Sequence, residues 1–213
     1  MRGTGLAGPP DDLEGFPEAG PVARLHRLSE SPAVWWYSSV NDVTDPGGGR
    51  FDLVEPRGTC YLAEESFDGA LVEKLLRAPV KVVPAERLEE LFHAVVTVRT
   101  TPRTADLTAP EATGFGLNAE IHTTLDYEIP RRWASALWAE GWRAVRHRLR
   151  GDVTQQLAGR ALFGATGLHA RAPAGMSTSV DAPERDEAER LLAGRNVEVR
   201  PIPFHVPVVP PPA

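Results

Sequence analysis

Apolar and polar positions alternate from Pro21 to Leu28. Val22, Arg24 and His26 fall on one side and Ala23, Leu25 and Arg27 on the other, which is the period of a β-strand. Short apolar runs predict further strands at Thr59–Ala63, Val80–Val83 (stopped by Pro84) and the β-branched Ala94–Arg99. Trp142–Leu149, Ala161–Phe163 and Asn196–Ile202 follow the same pattern. Helical spacing takes over after Ser66, an expected N-cap, for a helix running through Leu71, Leu75 and Leu76. A short helix is expected at Ala85–Leu91. A longer one is expected at Pro130–Glu140, with proline near its start and Gly141 past its end. Asp181-Ala182-Pro183-Glu184 matches a capping box with Asp in place of Ser or Thr, for a helix that carries Leu191 and Leu192 and ends at Gly194. Trp35–Gly49 is loop-like and closes on a glycine run. Short strands and scattered helices without a regular βαβ beat imply an α+β fold rather than a doubly wound sheet. The usual phosphate-loop and dinucleotide glycine fingerprints do not occur.

The two ends differ from the middle. Residues 1–20 are rich in Gly, Pro, Asp and Glu and are expected to be a flexible, loosely packed segment. Residues 204–213 end in Pro207-Val208-Val209-Pro210-Pro211-Pro212, an extended Pro-rich tail that can enter neither a helix nor a central strand. Residues 21–203 are left as a single domain.

Composition narrows the function classes. The chain has 213 residues, with 42% hydrophobic, 24% charged and a formal net charge of −6. Its arginines are interleaved with Asp and Glu, so no basic face for direct nucleic-acid binding is expected. Cys60 is the one cysteine, which excludes a disulfide framework; in its apolar run it is read as a small buried hydrophobe rather than a nucleophile. No apolar stretch approaches the roughly 20 residues of a membrane span, and the N-terminus lacks a signal-peptide pattern, so a cytoplasmic location is expected. The six histidines are scattered without ligand spacing, and no metal site is expected.

Candidate chemistry begins at Gly47-Gly48-Gly49-Arg50-Phe51. A guanidinium fork suits phosphate oxygens, and the glycines, Gly49 in particular, would let backbone N–H groups approach an anion. Arg27 supplies a second cation. Tyr61, on its short strand, offers a ring that can stack on a flat ligand ring. Glu73 lies well around the helix from Leu71 and Leu75. Aimed into a cleft, its carboxylate would stabilise positive charge at an anomeric carbon. Trp35-Trp36-Tyr37 is read as core or cleft wall rather than a base-stacking platform.

In order and spacing these elements resemble the RES domain family, named for its arginine, glutamate and serine. The resemblance runs from about Leu25 to Gly164. It is carried by Leu25-His26-Arg27, Gly49-Arg50-Phe51, Tyr61-Leu62-Ala63 and Ala70-Leu71-Val72-Glu73. It continues through Leu107-Thr108, Trp133-Ala134, Gly141-Trp142-Arg143-Ala144-Val145-Arg146 and Ala161-Leu162-Phe163-Gly164. The resemblance implies a split antiparallel sheet core like the ADP-ribosyltransferase fold, with flanking helices. It implies NAD as substrate, with no prosthetic group, and cleavage of the nicotinamide–ribose bond by phosphorolysis or hydrolysis, with inorganic phosphate as co-substrate in the first case. It assigns Glu73, Arg50 and Tyr61 to catalysis and Arg27, Arg50, Tyr61 and Gly49 to binding. It also implies a toxin of a toxin–antitoxin pair, with a helix-turn-helix antitoxin partner and an oligomeric assembly. An ADP-ribosyltransferase, or a catalytically weakened binding protein, stays open. The family's Tyr-x-Ser-Arg stretch matches His147-Arg148-Leu149-Arg150 here, so Leu149 replaces the serine. A leucine makes no hydrogen bond, which would cost about ten- to a hundred-fold in rate if the serine positions substrate. Ser38 or Ser39 is the candidate substitute for that hydroxyl.

Overall fold

The computed structural model describes residues 5–77 and 80–202. The Pro-rich tail lies outside the described residues.

The order of elements is β1 (Arg24–Ser29), β2 (Trp36–Tyr37), β3 (Ser39–Val40), β4 (Leu53–Val54), β5 (Arg57–Glu64), α1 (Phe67–Leu75), β6 (Val82–Pro84), α2 (Ala85–Glu89) and β7 (Phe92–Val98). There follow β8 (Thr104–Asp106), a 3-10 turn (Pro110–Phe115), α3 (Glu120–Thr123), α4 (Glu128–Ala139), β9 (Ala144–Arg148) and β10 (Ala158–Ala165). The chain closes with β11 (Gly167–Leu168), β12 (Met176–Asp181), α5 (Arg185–Ala193) and β13 (Glu198–Arg200). Among the described residues the main sheet has seven strands in the order β12-β7-β1-β5-β10-β9-β8. Its pairings are antiparallel except β8 with β9. The fold is α+β, as expected.

The centre of the sheet is β5 against β10, paired from Ala63↔Gly159 to Arg57↔Ala165. β5 is covered on both faces. Cys60 and Leu62 join Leu25, Trp35, Tyr37, Val96 and Leu162 on one side. On the other, Ala63 packs with Leu71, Val72 and Leu149 under α1 and α5, and Tyr61 borders the cluster of Phe51, Trp133, Trp142 and Phe163 around α4. β1 pairs with β7 along its whole length, Arg24↔Thr97 to Ser29↔Phe92. With β5 it pairs only at Leu25↔Glu64 and His26↔Ala63. Beyond His26 the two strands part, and this split makes the room for a cleft.

Helix α1 starts where expected: Ser66 takes extended backbone and its Oγ accepts from Gly69 N at 3.1 Å. Phe67, Ala70, Leu71 and Val72 face the core, which leaves Glu73 and Lys74 at the edge over the split. Among the described residues no helix is long and apolar enough to cross a membrane.

Two expectations are corrected. Residues 5–20 are packed rather than loose: Leu6, Leu13, Phe16 and Ala19 are buried. The Phe16 ring lies 4.9 Å from Phe115 and 5.9 Å from Trp133, and Trp133 Nε1 donates to Ala7 O at 2.9 Å. The spaced apolar residues outweigh the polar composition because α4 offers them a groove. The capping box does not form either. Asp181 ends β12, paired with His93. Helix α5 begins four residues later, with Glu184 as an N-cap that makes no side-chain hydrogen bond; the ladder with β7 holds Asp181 in the strand. β12 itself, Met-Ser-Thr-Ser-Val-Asp, was not expected, because an edge strand with one wet face carries too little apolar signal.

Candidate active site

The split between β1 and β5 opens into a cavity of about 460 Å³, lined by Arg27, Trp36, Gly49, Tyr61, Glu73 and Arg77 among others. A smaller recess of about 40 Å³ shares Gly48, Gly49, Tyr61, Glu73 and Arg77 with it and adds Arg50, Tyr127 and Arg150. The two form one cleft. Arg27, Gly49, Arg50, Tyr61 and Glu73, far apart along the chain, all border it.

Each comes with a specific setting. Arg27 Nη1 reaches Val34 O (2.5 Å), Cys60 Sγ (2.8 Å) and Trp36 O (3.4 Å), so one arm of the fork is fixed to the wall. Arg50 is 9% exposed, and its Nε and Nη1 are buried without a hydrogen-bond partner among the described residues. Burial lowers its pKa, with Glu73 opposing. A buried guanidinium whose donors are unused is costly, and an anion in the recess would satisfy it. Tyr61 Oη donates to Asp52 Oδ1 (2.9 Å) and accepts from Phe51 N (2.8 Å), so its ring, not its hydroxyl, is offered to the cleft. Burial raises its pKa well above the usual phenol value. Glu73 faces the cleft, and its Oε1 accepts from Arg77 Nη2 at 2.6 Å. That ion pair, led by the Glu73 charge, raises the Arg77 pKa.

The glycine run works differently from the expected anion cradle. Gly47 N donates to Asp45 Oδ1 (2.8 Å) and Gly49 N to Asp52 Oδ2 (2.6 Å), so these N–H groups are spent on the protein's own carboxylates. Gly48 adopts φ +76, and a Cβ on Gly49 would stand 2.5 Å from Tyr61 Oη. The run is needed for close packing rather than for N–H donation. Two buried residues, unremarked in the sequence, hold it. Asp52, fully buried, accepts from Gly49 N, Tyr61 Oη and, at 2.8 Å, Ser38 Oγ. Arg131 of α4, 1% exposed, donates to the carbonyls of Val43 (3.1 Å), Asp45 (2.5 Å), Gly47 and Gly49 (3.1 Å). Arg77 also escaped the sequence reading, and Arg150 entered it only as the arginine kept in the stretch that matches the family's Tyr-x-Ser-Arg. Arg150 donates to Tyr127 Oη and Arg77 O, both at 2.5 Å.

The stretch that departs from the family pattern alternates: His147 and Leu149 are buried, and Arg148 and Arg150 are half-buried. Leu149 is fully buried in the α1–α5 core and does not line the cleft. Ser38 borders the cleft with its hydroxyl held by Asp52, whereas Ser39 Oγ is 2.7 Å from Thr166 Oγ1. His147 packs its ring 5.1 Å from Phe51 and 6.3 Å from Tyr61, so it serves as an aromatic. Cys60 is a buried thiol whose pKa burial pushes up to about 11.

His147 and His122 are both held neutral, with pKa values near 3; burial is the main cause, and Arg50 adds to it in each. Because these pKa values lie below the ordinary 6.5, the unfolded chain takes up more protons in acid. Stability is therefore greatest above pH 6.5 and falls as pH drops toward 3. A Tm-versus-pH series should show this fall, shallower in His147→Gln. A flat profile, or equal slopes in both proteins, would refute it.

With this geometry in hand, comparisons with known proteins give the context. A family model described as the RES domain matches residues 21–170. A search of curated proteins finds no match. Among solved structures, a chain of the M. tuberculosis MbcT–MbcA toxin–antitoxin complex is similar, with 16% identity and a TM-score of 0.59. The match covers 85% of this chain and 94% of that one, and at this identity it speaks to the fold.

Proposed function

Because the chain belongs to the RES domain family, we propose that it is an NAD-degrading enzyme that cleaves the nicotinamide–ribose bond. The observation that carries this reading is the meeting of Arg27, Arg50, Tyr61 and Glu73 around one cleft, whose main cavity is about 460 Å³. Arg27 and Arg50 take the pyrophosphate, two cations for two phosphates. Tyr61 packs against nicotinamide. As the ribosyl C1–N bond breaks, its electron pair neutralises the pyridinium nitrogen and positive charge develops on the ribose. Glu73, held in place by Arg77, faces that charge. Water or phosphate then adds at the anomeric carbon, and a water nucleophile releases its proton to solvent as the ribose hydroxyl forms.

Phosphorolysis is favoured over hydrolysis by the recess, where Arg77 and Arg150 add two guanidinium groups beyond the two that take the pyrophosphate. Such a cluster attracts an anionic nucleophile better than water. The test is nicotinamide release from NAD by the pure protein, with and without inorganic phosphate. Release that requires phosphate and yields a sugar phosphate supports phosphorolysis. Phosphate-independent release of free ADP-ribose supports hydrolysis. Label transferred from NAD to protein supports the transferase alternative, and NAD bound without release supports the binding protein. Neither release nor binding would end this reading.

The likeness to a chain of a toxin–antitoxin complex is in keeping with a toxin role for this protein; an antitoxin of the helix-turn-helix class is what the family resemblance suggests as its partner. Growth arrest on expression, relieved by co-expression of the adjacent gene's product, is the corresponding test.

A further inference from the structure

The aromatic triplet Trp35-Trp36-Tyr37 is divided by the fold. Trp35 and Tyr37 are buried at 4% and 5% exposure, and Trp36 is 51% exposed. The short strand β2 turns alternate residues to opposite sides, and the side it gives Trp36 is the cleft. The backbone there is fixed from two directions: Trp36 pairs with Leu168 of β11, and its carbonyl accepts from Arg27 Nη1 at 3.4 Å. A large indole thus stands on a fixed backbone at the border of a polar, arginine-lined cavity, with about half of its surface in water. That is an unfavourable place for so much apolar area unless something flat covers it.

We propose that Trp36 is the platform on which the adenine ring of the dinucleotide stacks. This rests on the NAD reading above and adds the second half of the substrate to it. The assignment to adenine follows from position. The bond to be broken must lie at Glu73, so nicotinamide belongs beside Glu73 and Tyr61, where the cavity meets the recess. Trp36 borders the wider cavity and not that recess. A phosphate on Arg27 would sit near Trp36, because the two residues line the same cavity and Arg27 Nη1 lies 3.4 Å from the Trp36 carbonyl. One ribose further from that phosphate is the far base, adenine. Stacking uses the π-face, which every purine has, so Trp36 selects for a flat bicyclic ring and not for its edge groups. Nicotinamide hypoxanthine dinucleotide should be cleaved nearly as well as NAD.

The test is nicotinamide release from NAD and from nicotinamide mononucleotide, which lacks the adenosine half, by the native protein and by Trp36→Ala and Trp36→Phe. Trp36→Ala should lower kcat/KM for NAD by roughly 10- to 100-fold, the usual worth of one stacked base, and leave the mononucleotide rate unchanged. Trp36→Phe should restore most of the NAD rate. Equal losses on both substrates, or no loss on either, would overturn the proposal while leaving the NAD reading intact. Failure of that reading looks different: the native protein would release nicotinamide from neither compound. Stacking is then read by tryptophan fluorescence. Quenching by ADP-ribose that disappears in Trp36→Phe would uphold the platform, and its absence in the native protein would overturn it.

Discussion

Replacing Glu73 by glutamine should lower nicotinamide release from NAD by roughly 10²- to 10³-fold, the usual cost of losing one group that faces charge developing in the transition state. The change is nearly isosteric, so the helix and the cleft wall are kept. What disappears is the negative charge. In the native protein Glu73 is 18% exposed and bonded to Arg77, itself 54% exposed, at 2.6 Å. A pair with so open a partner contributes about 0–1 kcal/mol to stability, so Tm should move by no more than a few degrees. Binding should persist, because the phosphate-binding arginines are untouched; ADP-ribose should bind Glu73→Gln about as well as the native chain. The expected signature is a fall in kcat with little change in KM, and relief of any growth arrest that the native chain causes. A Glu73→Gln protein with native kcat would remove Glu73 from the chemistry, and one that had lost ADP-ribose binding would recast it as a positioning residue.

How legible was this site in the chain? Helical spacing placed Glu73 away from Leu71 and Leu75, and the Ser66 cap set the start of α1, so the one helix that overhangs the cleft was readable from local rules. Arg27, Arg50, Tyr61 and Glu73 were nominated by family resemblance rather than by local physics, since each alone has an ordinary structural explanation. What stayed hidden was long-range. Arg131 is separated by more than eighty residues from the carbonyls it holds, and nothing in a helix pattern marks an arginine as buried. Asp52, just past the glycine run, carries no local sign that it is buried. The hint was its place, three residues after Gly49, where an Asp side chain can turn back on a backbone N–H. The glycines were expected to offer N–H groups to a ligand, whereas Asp45 and Asp52 claim them first. The N-terminal segment and the failed capping box have the same origin: composition and motif describe local preference, and tertiary partners, α4 in one case and β7 in the other, decided the outcome.

Asp52→Ala should be the most destabilising of the substitutions considered, by about 2–6 kcal/mol, because it orphans two donors outright and leaves a third, Ser38 Oγ, only its longer bond to Thr59 O at 3.2 Å. Gly49 N (2.6 Å), Ser38 Oγ (2.8 Å) and Tyr61 Oη (2.9 Å) all end on this carboxylate, which is fully buried. A buried donor left without an acceptor costs roughly 1–3 kcal/mol, and in a chain of this length that corresponds to a Tm loss on the order of 10 °C. Asp52→Asn supplies the internal control. It keeps the volume and one acceptor oxygen but points an amide at a group that also donates, so its loss should fall between Ala and native. Activity should suffer beyond what stability explains. Asp52 fixes both the backbone of Gly49, one residue before Arg50, and the ring of Tyr61, so kcat/KM for NAD should fall even at temperatures where the variant stays folded. Thermal unfolding and nicotinamide release measured on the same preparations separate the two effects. A native Tm in Asp52→Ala would mean that the glycine run does not depend on this carboxylate. Native kcat/KM in a destabilised variant would mean that Arg50 and Tyr61 hold their places without it.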